Sequence, residues 1–190
     1  TFNPEASFAN EPDTDWSLAA NRQWLSGWLE RWRTADPVSI PLQVGGEFVS
    51  GDFPGQGVDP SQPGAGPYRY ALADARWVDQ ALGVAVEAQP GWAGRSIAER
   101  KAALVRVAEE LARQRGNFIG AMMLDGGKTA AEADPEVSEA IDFANYYARS
   151  LDLGDAVADC QMTPLGVVVV TPPWNFPLAI PAGGVLAALM

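Results

Sequence analysis

Residues 163–190 read TPLGVVVVTPPWNFPLAIPAGGVLAALM. The valine run at 167–170 predicts a short strand, because β-branched side chains suit a pleated, half-buried backbone. Pro172-Pro173-Trp174-Asn175-Phe176-Pro177 then predicts a tight turn, and the small apolar residues beyond it a helix. One polar side chain, Asn175, is thereby set in an apolar corner. Between Cys160 and Met190 the chain carries no charge, so a membrane span must be weighed. A spanning helix needs about 20 largely unbroken apolar residues. Here Pro164, Pro172, Pro173, Pro177 and Pro181 divide the run, leaving no proline-free stretch longer than nine residues. An interior proline costs a helix about 3 kcal/mol. No membrane span is expected.

The remaining composition narrows the chemistry. With 190 residues, 47% of them hydrophobic and 19% charged, the chain can bury a real core. A net charge of −11 argues against nucleic acid, whose binding needs clustered cations on phosphates. The absence of His removes a Ser-His-Asp triad, a Cys-His pair and a His-ligated zinc, and no metal site is expected. A single Cys excludes an internal disulfide and fits a reducing compartment. There is no basic-then-apolar leader, so a cytoplasmic location is expected. The chain closes on apolar residues 185–190 with no helix stop signal, from which we expect a piece of a longer polypeptide.

In chain order, Asp13 or Asp15 is expected to cap a helix running to about Thr34. Alternating apolar residues around Gly45-Gly46 predict a hairpin over residues 40–49. The Gly- and Pro-rich residues 50–67 predict a surface loop, followed by an edge strand at 68–72. Helical spacing predicts a helix from Asp74 to about Glu87 and a turn around Trp92. Ser96 and Glu99 form a capping-box signature at the start of the next helix. Gly116-Asn117 should break that helix before a short one over 118–124. A long helix is expected from about Thr129 to Leu151, with Val137, Ala140, Ile141, Ala144 and Ala148 on its buried face. Residues 152–162 should lead, through a strand, into the final motif. The nine acidic and two basic residues of 124–159 are read as a solvated helix face. Residues 1–40 form an extension or helix, and 41–190 the main body.

At a strand-to-helix junction, the two N–H donors of Asn175 can face developing negative charge, as an oxyanion hole does. The helix N-terminus behind it would add unpaired N–H groups suited to a pyrophosphate. The alternative is that Asn175 caps the following helix. No GxGxxG fingerprint occurs.

Pro173-Trp174-Asn175-Phe176-Pro177, preceded by Thr163-Pro164-Leu165-Gly166-Val167, resembles the Pro-Trp-Asn-Phe-Pro segment of the aldehyde dehydrogenase superfamily. Val44-Gly45-Gly46-Glu47-Phe48-Val49, Trp92, Gly127-Lys128-Thr129 and Ile141-Asp142-Phe143 follow in the expected order. Residues 8–18, FANEPDTDWSL, are similar to the opening segment of the L-glutamate γ-semialdehyde (Δ1-pyrroline-5-carboxylate) dehydrogenase domain of bacterial bifunctional proline-catabolic enzymes.

The resemblance implies an α/β fold, the N-terminal part of an aldehyde-dehydrogenase-like domain. Helices and a hairpin would pack on the start of a parallel, Rossmann-like sheet, truncated before the catalytic domain. It implies NAD as cofactor, a small aldehyde as substrate, and a homo-oligomer. Asn175 would be the oxyanion donor. Thr171, Pro173 and Trp174 would line the NAD cleft, Phe176 would be a wall of the aldehyde tunnel, and Glu139 would lie near the substrate's ammonium group. A solvated Glu139 stands beside that reading, and Lys128 reads as a structural or surface lysine. Pro172 and Asp125-Gly126-Gly127 depart from the family pattern. The family's ribose-binding Lys, general-base Glu and nucleophilic Cys lie beyond this motif, and Cys160, which precedes it, is not that nucleophile. The 190-residue chain alone is expected to be inactive. An aldehyde dehydrogenase of another substrate branch, or a non-catalytic assembly module, are the alternatives.

Overall fold

The computed structural model describes residues 7–49, 51–151, 159–160 and 162–190. Among the described residues, six helices and five short strands follow in the order α1 (Ala19–Thr34), β1 (Val38–Ile40), β2 (Leu42–Val44), β3 (Glu47–Val49), β4 (Gly55–Gln56), β5 (Tyr68–Tyr70), α2 (Ala75–Ala93), α3 (Ile97–Arg113), α4 (Arg115–Gly126), α5 (Ala130–Ser150) and α6 (Ala179–Leu189).

Helix α5 is the axis. Ala133, Val137, Ala140, Ile141, Ala144 and Ala148 are buried along it, and α3, α4 and α6 all pack against it. Residues spaced three and four apart share a helix face. Because most of these side chains are small, neighbouring helices approach closely and their own bulk fills the space. Leu104, Ala108 and Leu111 come from α3, Ile119 and Met122 from α4, and Leu186 from α6. Helix α1 docks on α4 by a different fit. Trp28 and Trp32, one turn apart, lie over Gly116 and Gly120, where any Cβ would overlap the indole rings.

The expected capping box is present: Ser96 Oγ accepts from the Glu99 N–H (3.3 Å), and the Glu99 carboxylate accepts from the Ser96 N–H (2.8 Å). The Ser96 hydroxyl also donates to that carboxylate (2.7 Å), and this bond and the one from the Ser96 N–H hold the Glu99 carboxyl below its ordinary pKa. The hairpin also forms as read. Gly45 and Gly46 both take positive φ, +63° and +85°, as a two-residue turn of this kind needs, and Val44 pairs with Glu47.

Several expectations are corrected. Helix α1 starts at Ala19, because the residues before it are engaged elsewhere. Thr14 donates to the Asp134 carboxylate through its N–H (2.6 Å) and its hydroxyl (2.8 Å), while Asn10 and the Glu11 N–H donate to Asp142. Arg115 closes this clasp, donating to Asp134 (2.8 Å), Ser138 and Glu11. Helix α2 continues through Pro90 to Ala93, so residues 88–93 are helical rather than a turn. The Gly94 N–H closes its end on the Pro90 carbonyl, and the Trp92 indole N–H donates to the Leu189 carbonyl (2.8 Å). The α3–α4 break falls at Gln114, not at Gly116-Asn117, since Gly116 is needed inside α4 to seat Trp28.

The 50–67 loop is more structured than its composition suggests. It contributes β4 and the buried Asp59, whose carboxylate accepts from the Ser61 N–H and hydroxyl. Strand β5 is central rather than an edge, pairing in parallel with β1 and antiparallel with β4. Residues 167–170 form no ladder, since they find no strand partner among the described residues. Most of the expected lead-in over 152–162 lies outside the described residues. The acidic excess is not simply a solvated face, because Asp134 and Glu136 are buried and Asp142 holds the N-terminal arm.

Two outcomes test this packing. A methyl group at Gly120 collides with Trp32, so Gly120→Ala should cost about 1–3 kcal/mol in urea denaturation. At Gly83, inside α2, a Cβ meets nothing within 4 Å. Gly83→Ala should therefore raise stability by about 0.4–1 kcal/mol, and equal effects at the two sites would refute the Trp–Gly fit. Burial, and a hydrogen bond to Asp125, push the Tyr68 phenol up to about 12. Its stabilising contribution is fully present below the ordinary value of 10.0 and lost as pH rises through about 12. In an ultraviolet titration of the four tyrosines, Asp125→Asn should lower the latest phenolate step, and an unmoved step would deny the contact.

Candidate active-site corner

The turn over 174–178 sits between an extended valine segment and α6. Its anchor comes from α5. Glu136 is 2% exposed, and a buried carboxylate must find partners for both oxygens. Oε1 accepts from the Leu178 N–H (2.7 Å) and the Ala179 N–H (3.1 Å). Oε2 is paired with Lys128 Nζ. The Lys128 ammonium in turn lies 4.5 Å from the centre of the Phe176 ring, an arrangement favoured by the ring quadrupole.

This cap narrows one expectation. Two of the N–H groups at the start of α6 are not available for a pyrophosphate, because Glu136 already takes those of Leu178 and Ala179. Pro181 has no N–H, and the Ala182 N–H returns to the Leu178 carbonyl. The cap also bears on Asn175. No side chain from the turn itself caps α6, and among the described residues the exposed Asn175 side chain makes no hydrogen bond. Its amide donors are without a partner among the described residues.

The other expected site residues divide into two groups. Thr171 and Pro173 line an apolar groove of about 510 Å³ together with Phe143, Tyr147, Ile180 and the valine segment. Trp174, 86% exposed, and Phe176 stand on the exposed side of the turn. Gly183 and Gly184 let α6 close against the groove: a Cβ would come within 2.9 Å of Phe143 at the first and 2.7 Å of Val170 at the second. Among the described residues no carboxylate lines the groove, so these walls admit a planar ring or an anionic group without repulsion. Its residues thus fit part of a dinucleotide.

Glu139 is exposed on α5. Glu136 is the carboxylate that reaches the turn, and sequence reasoning missed it. A helical wheel carries the signal: position 136 is three residues from Ala133 and four from Ala140, both on the buried stripe. Lys128 is only 15% exposed and is held by that carboxylate. Cys160 is exposed. No helix among the described residues is long and apolar enough to cross a membrane.

The sequence model of the aldehyde dehydrogenase family matches residues 56–190. The chain belongs to that family. A 1-pyrroline-5-carboxylate dehydrogenase of Geobacillus thermodenitrificans is 35% identical over 193 residues, covering 96% of this chain and 38% of that protein. Among solved structures, proline utilization A from Bdellovibrio bacteriovorus, inactivated by N-propargylglycine, superposes with a TM-score of 0.84 at 29% identity. That match covers 96% of this chain and 20% of the other. A 1-pyrroline-5-carboxylate dehydrogenase from Thermus with bound NAD gives 0.80 at 26% identity, covering 96% of this chain and 42% of the other. The aldehyde dehydrogenase fold of these structures is the fold of this chain. The chain spans little more than a third of the Geobacillus relative.

The small residues of α6 give the corner a direct test. Gly184→Ala forces Val170 or the helix to shift and should cost about 1–3 kcal/mol. An unchanged denaturation midpoint would mean that the valine segment yields freely.

Proposed function

We propose that this chain is the N-terminal part of an NAD-dependent dehydrogenase that oxidises L-glutamate γ-semialdehyde to glutamate, and that Asn175 is its oxyanion donor. The observation that carries the reading is the exposed Asn175 amide, which makes no hydrogen bond among the described residues and is relieved of capping by Glu136. Residues 41–190 form the N-terminal part of the NAD-binding domain, with 1–40 an extension docked on it. The parent enzyme is a cytoplasmic homo-oligomer, and the chain alone does not turn over.

In the parent, a cysteine thiolate outside this chain adds to the aldehyde carbon, and negative charge develops on the aldehyde oxygen. The Asn175 N–H groups donate to that oxygen as the charge appears, in a turn already fixed by its prolines and by Glu136. Preorganised donors of this kind act without reorganising as the charge forms. Thr171 and Pro173 hold the dinucleotide along the groove through backbone and apolar contact, with Trp174 beside them on the exposed side of the turn. NAD⁺, when bound, supplies the acceptor for the hydride that leaves the aldehyde carbon. Phe176 walls the aldehyde channel, and water then hydrolyses the cysteine thioester left by hydride transfer, releasing glutamate and freeing the thiol. Exposed Glu139 attracts the substrate's ammonium group.

Asn175→Ala in the full-length parent should lower kcat by about 10²–10³ while the NAD⁺ dissociation constant, read by titration, stays within twofold. An unchanged kcat would sink the oxyanion role. Glu139→Gln should raise KM for glutamate semialdehyde several-fold and leave simple aliphatic aldehydes unaffected. Equal KM values for both substrates would remove Glu139 from the site.

A further inference from the structure

We infer that Lys128 and Glu136 form a positioning pair that sets where the Asn175 turn stands, a role that rests on the oxyanion reading of Asn175. Three features of the turn are indexed to this one largely buried ion pair. The Phe176 ring lies under the Lys128 ammonium at 4.5 Å. The Leu178 and Ala179 N–H groups converge on a single oxygen of Glu136, whose other oxygen holds Lys128. Asn175 itself makes no hydrogen bond among the described residues, so its place follows from its neighbours on the C-terminal side. Phe176 adjoins it directly, and Leu178 lies three residues on.

The chemistry of the pair suits positioning rather than reaction. Both oxygens of Glu136 are engaged and its side chain is 1% exposed, so it reaches neither aldehyde nor cofactor. Lys128 cannot leave Glu136 without stranding a buried carboxylate, which is costly. Nor can it turn away without uncovering Phe176. Positive charge at 128 therefore fixes both the backbone and the ring of the turn. A misplacement of about 1 Å at a reacting centre can cost 10²-fold in rate.

The test uses the full-length parent enzyme, with rates expressed per folded molecule from circular dichroism. Lys128→Met keeps the stem and removes the charge. It should lower kcat at least tenfold, leave the NAD⁺ dissociation constant within twofold, and show no further loss when combined with Asn175→Ala. Lys128→Arg, which keeps the charge and can still cover the ring, should restore most of the rate. If Lys128→Met folds poorly, Glu136→Gln gives the same reading, because it keeps an acceptor for the two N–H groups while neutralising the partner of Lys128. An unchanged kcat in both charge-removing variants, with Asn175→Ala impaired, would overturn the positioning pair alone. So would losses that multiply in the double variant, since residues acting through one another are not additive. An unimpaired Asn175→Ala would instead overturn the oxyanion reading and this inference with it.

Discussion

A carboxylate in a protein interior has to be paired, and in this fold that requirement falls on Glu136. The two backbone N–H groups at the start of α6 satisfy one of its oxygens, and Lys128 the other. The N-terminus of a helix carries partial positive charge and unpaired donors, so a carboxylate there is favourable. The arrangement joins chain segments 42 and 43 residues apart. It means that α6 begins where α5 allows it to begin.

Helix α5 meets each neighbour with a different part of its surface. Its small buried residues receive α3, α4 and α6. Asp134, Ser138 and Asp142, each four residues on from the last, receive the N-terminal arm and Arg115. Glu136 receives the turn. The Arg115–Asp134 pair is buried, and such pairs stabilise little net of desolvation, although losing one partner is severe. Their value lies in allowing one register of arm, helix and turn.

Much of this was legible in the chain. Ser96 with Glu99 named a helix start because the bonds are local, and Gly45-Gly46 named a hairpin because two positive φ values are needed there. The stripe of α5 was readable from its spacing. The Asn175 segment pointed to its family through specific residues, where spacing alone favoured a helix cap. What escaped depends on distant partners. Residues 167–170 look like a strand, but pairing is a property of neighbours. Asp13 and Asp15 look like caps, yet the arm around them is held by Asp134 and Asp142, more than a hundred residues away. Glu136 and Glu139 are the same residue type three positions apart, and only their relation to the alanine stripe tells the buried one from the exposed one.

The N-terminal arm has a consequence for anyone producing this protein. The first helix begins at Ala19, which makes residue 18 look like a natural place to start a recombinant chain. Such a trim would remove Asn10, Glu11 and Thr14, the partners that hold Asp142, Arg115 and Asp134. It would bare a buried acid two residues from Glu136. Residues 7–18 belong to the packed body as much as any helix does, and shortening them trades a tidy boundary for a loosened corner around Glu136.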